Sequence, residues 1–386
     1  MTGVALLGSG AVAAVHADAY RRWEDRCEVR AVCDLYLDKA QSLIERKELR
    51  HADAQGDIEE VLRRDDIDAV SICLPPDVHA STAVRALQAG KHVLVEKPMA
   101  TSLQECDAMI EAARASGKIL SPVAQNRFKT PNGRVKAMID SGVAGRVLYA
   151  VVNSLWWRGG NYYDIWWRGT WEKECGGCFT SHAVHHIDLL LWMLGKPEKV
   201  TAVTANVGHE NSECEDLGVA ILEYPGMLAQ VSASLVTHDE EQEMIFQTER
   251  GRLSVPWKTA SARALPNGFP EEDPEGRDFL QNYYDGLPVL ETEGHPAQID
   301  AFLSAIAGSD VPSLVTGREG RDAIELIMAI YRSSVTRAPV TLPLLPDDPF
   351  YRRETMTAAM PRFHRKTRSV ENFTSSDINL GRDVGR

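Results

Sequence analysis

The chain has 386 residues, 44% of them hydrophobic and 25% charged. That is ordinary globular composition at a length greater than one hydrophobic core fills, so a disordered, fibrous or small stapled chain is excluded and two domains are expected. Lys and Arg number 42 against 55 Asp and Glu, a formal net charge of -13 that repels phosphate backbones and anionic lipid surfaces and argues against nucleic acid or a membrane as partner.

The apolar run 4–7 stops at Gly8 with no basic residue before it, unlike a signal peptide or membrane anchor, so a cytoplasmic setting is expected. From there to residue 124, short β-branched runs alternate with helical stretches: 4–7 with 11–22, 29–33 with 37–47, 69–74 with 78–89, 92–95 with 103–116, then 119–124. The alternation predicts α/β architecture, a doubly wound parallel sheet of the Rossmann type over residues 1–125. Past residue 126 the pattern changes. A helix at 132–141, a strand at 147–155, a helix at 185–194 and close-set strands at 200–207, 218–223, 230–235 and 244–249 predict an α+β domain over 126–345 with a largely antiparallel, open sheet. Helices at 297–307 and 321–335 complete it. Residues 346–386 form a C-terminal extension, basic from Arg362 to Arg368, which reads either as a solvated tail or as an arm on a neighbouring subunit.

Seven scattered cysteines do not make an export-type disulfide framework, and Cys175-Gly176-Gly177-Cys178 reads as a tight turn, because zinc would need a second such pair. No metal is expected. Gly8-Ser9-Gly10-Ala11-Val12-Ala13 joins the first strand to the first helix and fits G-x-G-x-x-A, in which the first glycine makes the turn and the second lets the backbone approach a pyrophosphate. Asp34 closes the second strand 24 residues after Gly10. A carboxylate there accepts from the ribose hydroxyls and repels a 2′-phosphate, which favours NAD over NADP.

Ile72-Cys73-Leu74-Pro75-Pro76-Asp77-Val78-His79 and Ala89-Gly90-Lys91-His92-Val93-Leu94-Val95-Glu96-Lys97-Pro98 resemble the Gfo/Idh/MocA oxidoreductases, and the likeness continues through Arg127-Phe128, Gly176-Gly177, His185-His186-Ile187-Asp188 and Trp192-Met193-Leu194-Gly195. The resemblance implies a Rossmann domain, a second domain whose open sheet makes homodimer or homotetramer contacts, and redox chemistry on a sugar, glycoside or cyclitol. It places Leu74, Pro75, His79, Glu96 and Lys97 beside the nicotinamide, with Asn126 at the cofactor and Lys97 between cofactor and substrate. Hydride departure from a carbinol requires loss of the hydroxyl proton, which a nearby cation assists.

Many members carry Asp or Asn four residues before the catalytic His; here the pair is Ser181 and His185. Serine holds no negative charge, so the proton falls to His185, helped by His182, with Asp188 one turn on either orienting His185 or supporting the helix. Gln125, Asn126 and Arg127 are expected to shape the sugar pocket. Five of eight tryptophans fall between Trp156 and Trp171, with Tyr162 and Tyr163 among them. They read as a satellite hydrophobic cluster or as flat faces for a sugar, Trp156 and Tyr163 among them. Trp167-Arg168-Gly169-Thr170-Trp171 resembles members acting on sugars or sugar nucleotides, which implies that Trp167 and Arg168 reach cofactor or substrate; Arg158 and Arg168 also suit a carboxylate or diphosphate. Tyr283, Tyr284 and His295 are secondary candidates. The expected activity is NAD-dependent hydride transfer at a ring hydroxyl. Two alternatives stay open: NAD-assisted glycoside cleavage through transient C3 oxidation with His182 as base, and a non-catalytic NAD-sensing regulator.

Overall fold

The computed structural model of the chain describes residues 1–371. Its first third builds one sheet from β1 (Thr2–Leu7), β2 (Cys27–Cys33), β3 (Asp53–Gln55), β4 (Ala69–Ile72), β5 (His92–Val95) and β6 (Leu120–Pro122), in the order β3-β2-β1-β4-β5-β6. All neighbours are parallel. Helices α1 (Ala11–Arg21), α2 (Leu37–Arg46), α3 (Ile58–Leu62), α4 (His79–Gln88) and α5 (Leu103–Ser116) make the crossovers. With helices on both faces, β1 and β4 are apolar and buried almost throughout, as such strands must be. The ends of α5 follow from local chemistry: the Ser102 hydroxyl accepts from the Glu105 amide, and Gly117 at φ +67 stops the helix.

The second sheet combines α6 (Thr130–Asp140), β7 (Val147–Leu155), α7 (Val184–Leu194), β8 (Lys199–Ala205), β9 (Leu217–Tyr224), β10 (Met227–Ser234), β11 (Gln242–Thr248), β12 (Arg252–Val255) and β13 (Thr259–Ala260) with β16 below. A hairpin of β14 (Ala262–Ala264) and β15 (Pro270–Glu272) stands apart, followed by α8 (Pro274–Asp285), α9 (Gly294–Ile306), α10 (Gly317–Thr336) and β16 (Val340–Thr341). The eight-stranded order is β13-β12-β11-β7-β10-β9-β8-β16. Only β7 and β10 pair in parallel.

Alternation along β8, β9 and β10 sends Val200, Ala202, Leu222 and Val231 to a face covered by helices, where each buried Leu or Val contributes about 2 kcal/mol. The opposite face leaves Tyr149, Val203, Val219, Ile221 and Leu228 exposed. Ile299, Phe302 and Leu303 of α9 pack with Ala13, Ala17 and Tyr20 of α1, so the chain returns to cover the first domain. Both ends of the Gln298 amide tie that helix to β6, accepting from the Ala124 amide at 2.9 Å and donating to the Pro122 carbonyl at 2.8 Å. Among the described residues no helix is long and apolar enough to cross a membrane.

Two segments depart from the expected pattern. Residues 53–62 contain the short β3 and α3, and β12 to β15 with α8 fill a stretch, 250–296, with no assigned element. The extension forms α11 (Arg353–Ala359), and residues 361–370 lie along their own chain. Residues 372–386 of the expected arm lie outside the described residues.

Candidate active site

The turn after β1 is shaped for close backbone approach. Gly8 has φ +103, and a Cβ there would fall 2.5 Å from the Cys73 carbonyl oxygen, whereas a Cβ on Gly10 would meet nothing within 4 Å. Open space therefore faces the start of α1, whose first turn has no side-chain cap, leaving the amides of Ala11 and Val12 available to an anion. Asp34 is set at the rim. Its Oδ2 accepts from the Ser9 amide at 3.0 Å and hydroxyl at 2.6 Å, and its Oδ1 from the Tyr36 amide at 3.0 Å. This cradle fits a dinucleotide pyrophosphate and ribose.

Below it, Glu96 is buried and ionised, its carboxylate held well below the ordinary range by His16 and His295 against the cost of burial. His16 Nε2 lies 2.9 Å from Oε1, and the Lys97 amide donates to Oε2 at 3.1 Å. His16, Glu96 and His295 bring ligand-type atoms within 4.8 Å of one another, a cluster drawn from α1, the loop after β5 and α9 that sequence spacing does not reveal. His79 acts as a clamp: its ring nitrogens sit 2.8 Å from the carbonyls of Leu74 and Pro98, joining the loops after β4 and β5.

Lys97 Nζ donates to the Ser181 carbonyl at 3.2 Å. Burial lowers its pKa, opposed by Glu96 and reinforced by Arg168. Ser181 and His182 occupy a wide helical turn, Phe179–Ala183, that leads into α7, an irregularity frequent at functional sites. The turn is held from beneath. Glu215, fully buried, accepts from the amides of Gly177 and Phe179 and from the Tyr331 hydroxyl. A Cβ on Gly177 would lie 1.7 Å from the Glu215 carbonyl oxygen, which explains the glycine.

The histidines differ. His182 Nδ1 is 2.8 Å from Ser181 Oγ. His185 lines a small cavity with Lys97, Asn126 and Asp188. Burial, then nearby cations including Lys97, pushes both pKa values well below 6.5, so each is neutral at pH 7. His186 is fully buried, and among the described residues neither ring nitrogen has a partner.

Asp188 turns away from His185 and makes a two-pronged ion pair with Arg127 at 2.9 and 2.7 Å; Arg127 also pairs with Glu319. Arg127 thus ties α7 to α10, and its guanidinium is occupied by carboxylates rather than held free for a sugar. Gln125 Oε1, by contrast, is buried without a partner among the described residues.

The aromatic run separates by packing. Trp171 is fully buried edge-on to Tyr331, and Tyr163 lies against His209, while Trp157 and Trp166 remain exposed. Trp156 meets His182 edge-on at 5.3 Å, and Tyr162, adjacent in sequence to the expected Tyr163, lies 5.9 Å from the same ring. Arg168 stacks on Tyr162 and Trp167 and pairs with buried Glu174 at 2.8 Å; Arg158 reaches over Trp156 and pairs with Glu240 at 2.8 Å. Tyr162 and Glu174 are the residues sequence reasoning passed over. Tyr162 stood within the aromatic run, but Glu174 carried no motif.

The C-terminal segment fastens this loop. Lys366 Nζ donates to the carbonyls of Tyr163 and Arg168, the amides of Thr367 and Arg368 donate to Asn211 Oδ1, the Trp166 amide donates to the Val370 carbonyl, and the Val370 amide donates to the Asp164 carbonyl. Secondary candidates Tyr283 and Tyr284 lie elsewhere, Tyr284 stacked on Trp257 and Tyr283 packed at the main core.

Two family models match the chain: the oxidoreductase family with NAD-binding Rossmann fold, GFO/IDH/MocA, over residues 2–123, and the GFO/IDH/MocA C-terminal domain over 133–254. The D-glucoside 3-dehydrogenase of Escherichia coli K12 is 26% identical over 358 residues, 88% of this chain and 97% of that one. The WlbA dehydrogenase of Bordetella pertussis, solved with NADH and UDP-GlcNAcA, is 30% identical with a TM-score of 0.75, covering 89% of this chain and 99% of that one. A levoglucosan dehydrogenase solved with NADH and levoglucosan shares the fold at 20% identity and a TM-score of 0.74, over 89% of this chain and 100% of that one.

Proposed function

Starting from the membership of this chain in the GFO/IDH/MocA oxidoreductase family, with its NAD-binding Rossmann domain, we propose that it is a dehydrogenase of a ring hydroxyl on a sugar, glycoside or cyclitol. The observation that carries this reading is the convergence of Lys97 with the Ser181–His182 turn at the strand ends of the Rossmann sheet. Gly8, Gly10 and the first turn of α1 would hold the pyrophosphate and Asp34 the ribose, and the Asp34 carboxylate repels a 2′-phosphate, which supports NAD over NADP. Bound NAD supplies the hydride acceptor.

The chain's own residues then handle the proton and the position of the sugar. Lys97, made less basic by burial, stands where positive charge stabilises a developing alkoxide. A neutral histidine beside it receives the hydroxyl proton. Trp156 and Tyr162 border the His182 ring and suit a sugar at that edge, and Arg158 and Arg168, over those rings, add positive charge suited to a uronate or a nucleotide-linked sugar. Exposed Val203, Val219, Ile221 and Leu228 on the open sheet face support a homodimer or homotetramer. Seven unpaired, buried cysteines suit the reducing cytoplasm. The test is near-UV absorbance with NAD and a panel of D-glucose, methyl and aryl glucosides, uronic acids, UDP-sugars and inositols. NADH formation with a matching oxidised product is expected; absence of NADH across a panel that includes both neutral and anionic sugars would refute the reading.

A further inference from the structure

We propose that Ser181 fixes the tautomer of His182, so that His182 Nε2, rather than either nitrogen of His185, is the atom that receives the substrate's hydroxyl proton. The inference deepens the dehydrogenase reading and rests on it for the identity of the proton donor.

The argument is a count of hydrogens. Ser181 Oγ lies 2.7 Å from the Gly177 carbonyl oxygen and 2.8 Å from His182 Nδ1. A hydroxyl has one hydrogen and a carbonyl has none, so the Ser181 proton goes to Gly177, the common bond of a helical serine to the carbonyl four residues back. Oγ then faces Nδ1 with a lone pair only. Nδ1 must carry the hydrogen of the neutral imidazole, and Nε2 is left as a bare acceptor.

Among the described residues Nε2 makes no hydrogen bond, and the His182 residue keeps 8% exposure. Trp156 and Tyr162 flank that ring. The main-chain carbonyl of Ser181 also holds Lys97 Nζ, so one residue positions both the cation and the base. Among the described residues His185 has no such partner. Asp188, the carboxylate one turn away, is committed to Arg127, and nothing described selects a tautomer for His185. Where the family pattern implies a carboxylate acting with the histidine four residues on, this chain has a serine acting with the histidine next to it.

In the step itself the substrate O–H bond breaks and the Nε2–H bond forms. The oxygen keeps the electron pair that closes the carbonyl as the C–H hydride leaves for NAD. Burial and the neighbouring cations Lys97, Arg158 and Arg168 keep His182 neutral beforehand, so that the lone pair is present.

The test begins with long-range proton–nitrogen correlation spectra of the full chain labelled with [15N]histidine, the His182 signals being identified by their loss in His182→Gln. The expected result is an Nδ1–H tautomer near neutral pH in the wild type, lost or mixed in Ser181→Ala and restored in Ser181→Thr. An Nε2–H tautomer in the wild type overturns the proposal. With whichever panel sugar the wild type oxidises, His182→Gln should lower kcat by about 10²- to 10⁴-fold, more than His185→Gln does. Ser181→Ala should lower kcat about 10-fold with KM little changed. A larger loss in His185→Gln also overturns it. If no sugar is oxidised, the dehydrogenase reading falls while the nitrogen spectra still decide the tautomer.

Discussion

Glu215 offers a quantitative check on how the active-site turn is built. Its carboxylate is fully buried, and burial pushes its pKa from 4.5 to about 7, opposed by hydrogen bonds from Tyr331, Phe179 and Gly177. Each tenfold change in the dissociation constant is about 1.4 kcal/mol, so the rise corresponds to about 3 kcal/mol of linkage. The sign follows from proton counts. Between pH 4.5 and about 7 the folded protein holds a proton that the unfolded chain has released, so stability falls as pH rises through this window and levels off above it. Glu215→Gln removes the titration while its amide oxygen can still accept at the Oε1 position, where three donors converge. Urea denaturation of both proteins from about pH 5 to pH 8 should therefore show the variant gaining on the wild type by about 2–3 kcal/mol across the range. A difference that stays flat with pH would refute the reasoning, since every other titrating group is shared.

Further predictions test other parts of the site. Lys97→Met should bind NADH within a few-fold of the wild type while turnover falls at least about 10²-fold, measured by fluorescence titration and steady-state assay. Asp34→Ala should narrow the preference for NAD over NADP by about 10-fold or more in the ratio of kcat/KM values, because the repulsion of a 2′-phosphate is gone. Gly177→Ala places a Cβ 1.7 Å from a backbone oxygen, and the shift it forces should cost about 3 kcal/mol or more in thermal denaturation. Lys366→Met removes the cation that holds the Tyr163 and Arg168 carbonyls, and hydrogen exchange in residues 159–172 should quicken about 10-fold while β1 to β6 are unchanged.

The parts of the molecule legible in the sequence are those written in local pattern. Largely apolar β1 and β4, each followed by a helix, announce the parallel sheet, and Gly8, Gly10 and Asp34 stand at the spacing their geometry needs. The strict alternation of β8 and β9 gives the second sheet and its open face. What stayed hidden depends on distant partners. Asn211 meets residues 367 and 368 across more than 150 positions, and no composition signal at either end marks the pairing. Five clustered tryptophans look alike in sequence, yet Trp171 is core and Trp166 is exposed, because the loop has no regular period to sort them. Asp188 was placed one turn from His185 by spacing alone, and the stronger guanidinium of Arg127 claims it.

The account stands or falls on whether hydride leaves the substrate for good. The decisive measurement follows NADH absorbance and the products in one reaction of the wild-type enzyme with excess NAD and an aryl β-D-glucoside, with the free sugars and UDP-sugars run beside it. Net NADH equal to the oxidised sugar formed is the predicted result. Release of the aglycone with no net NADH would contradict it and assign the same Lys97 and His182 to redox-assisted glycoside cleavage.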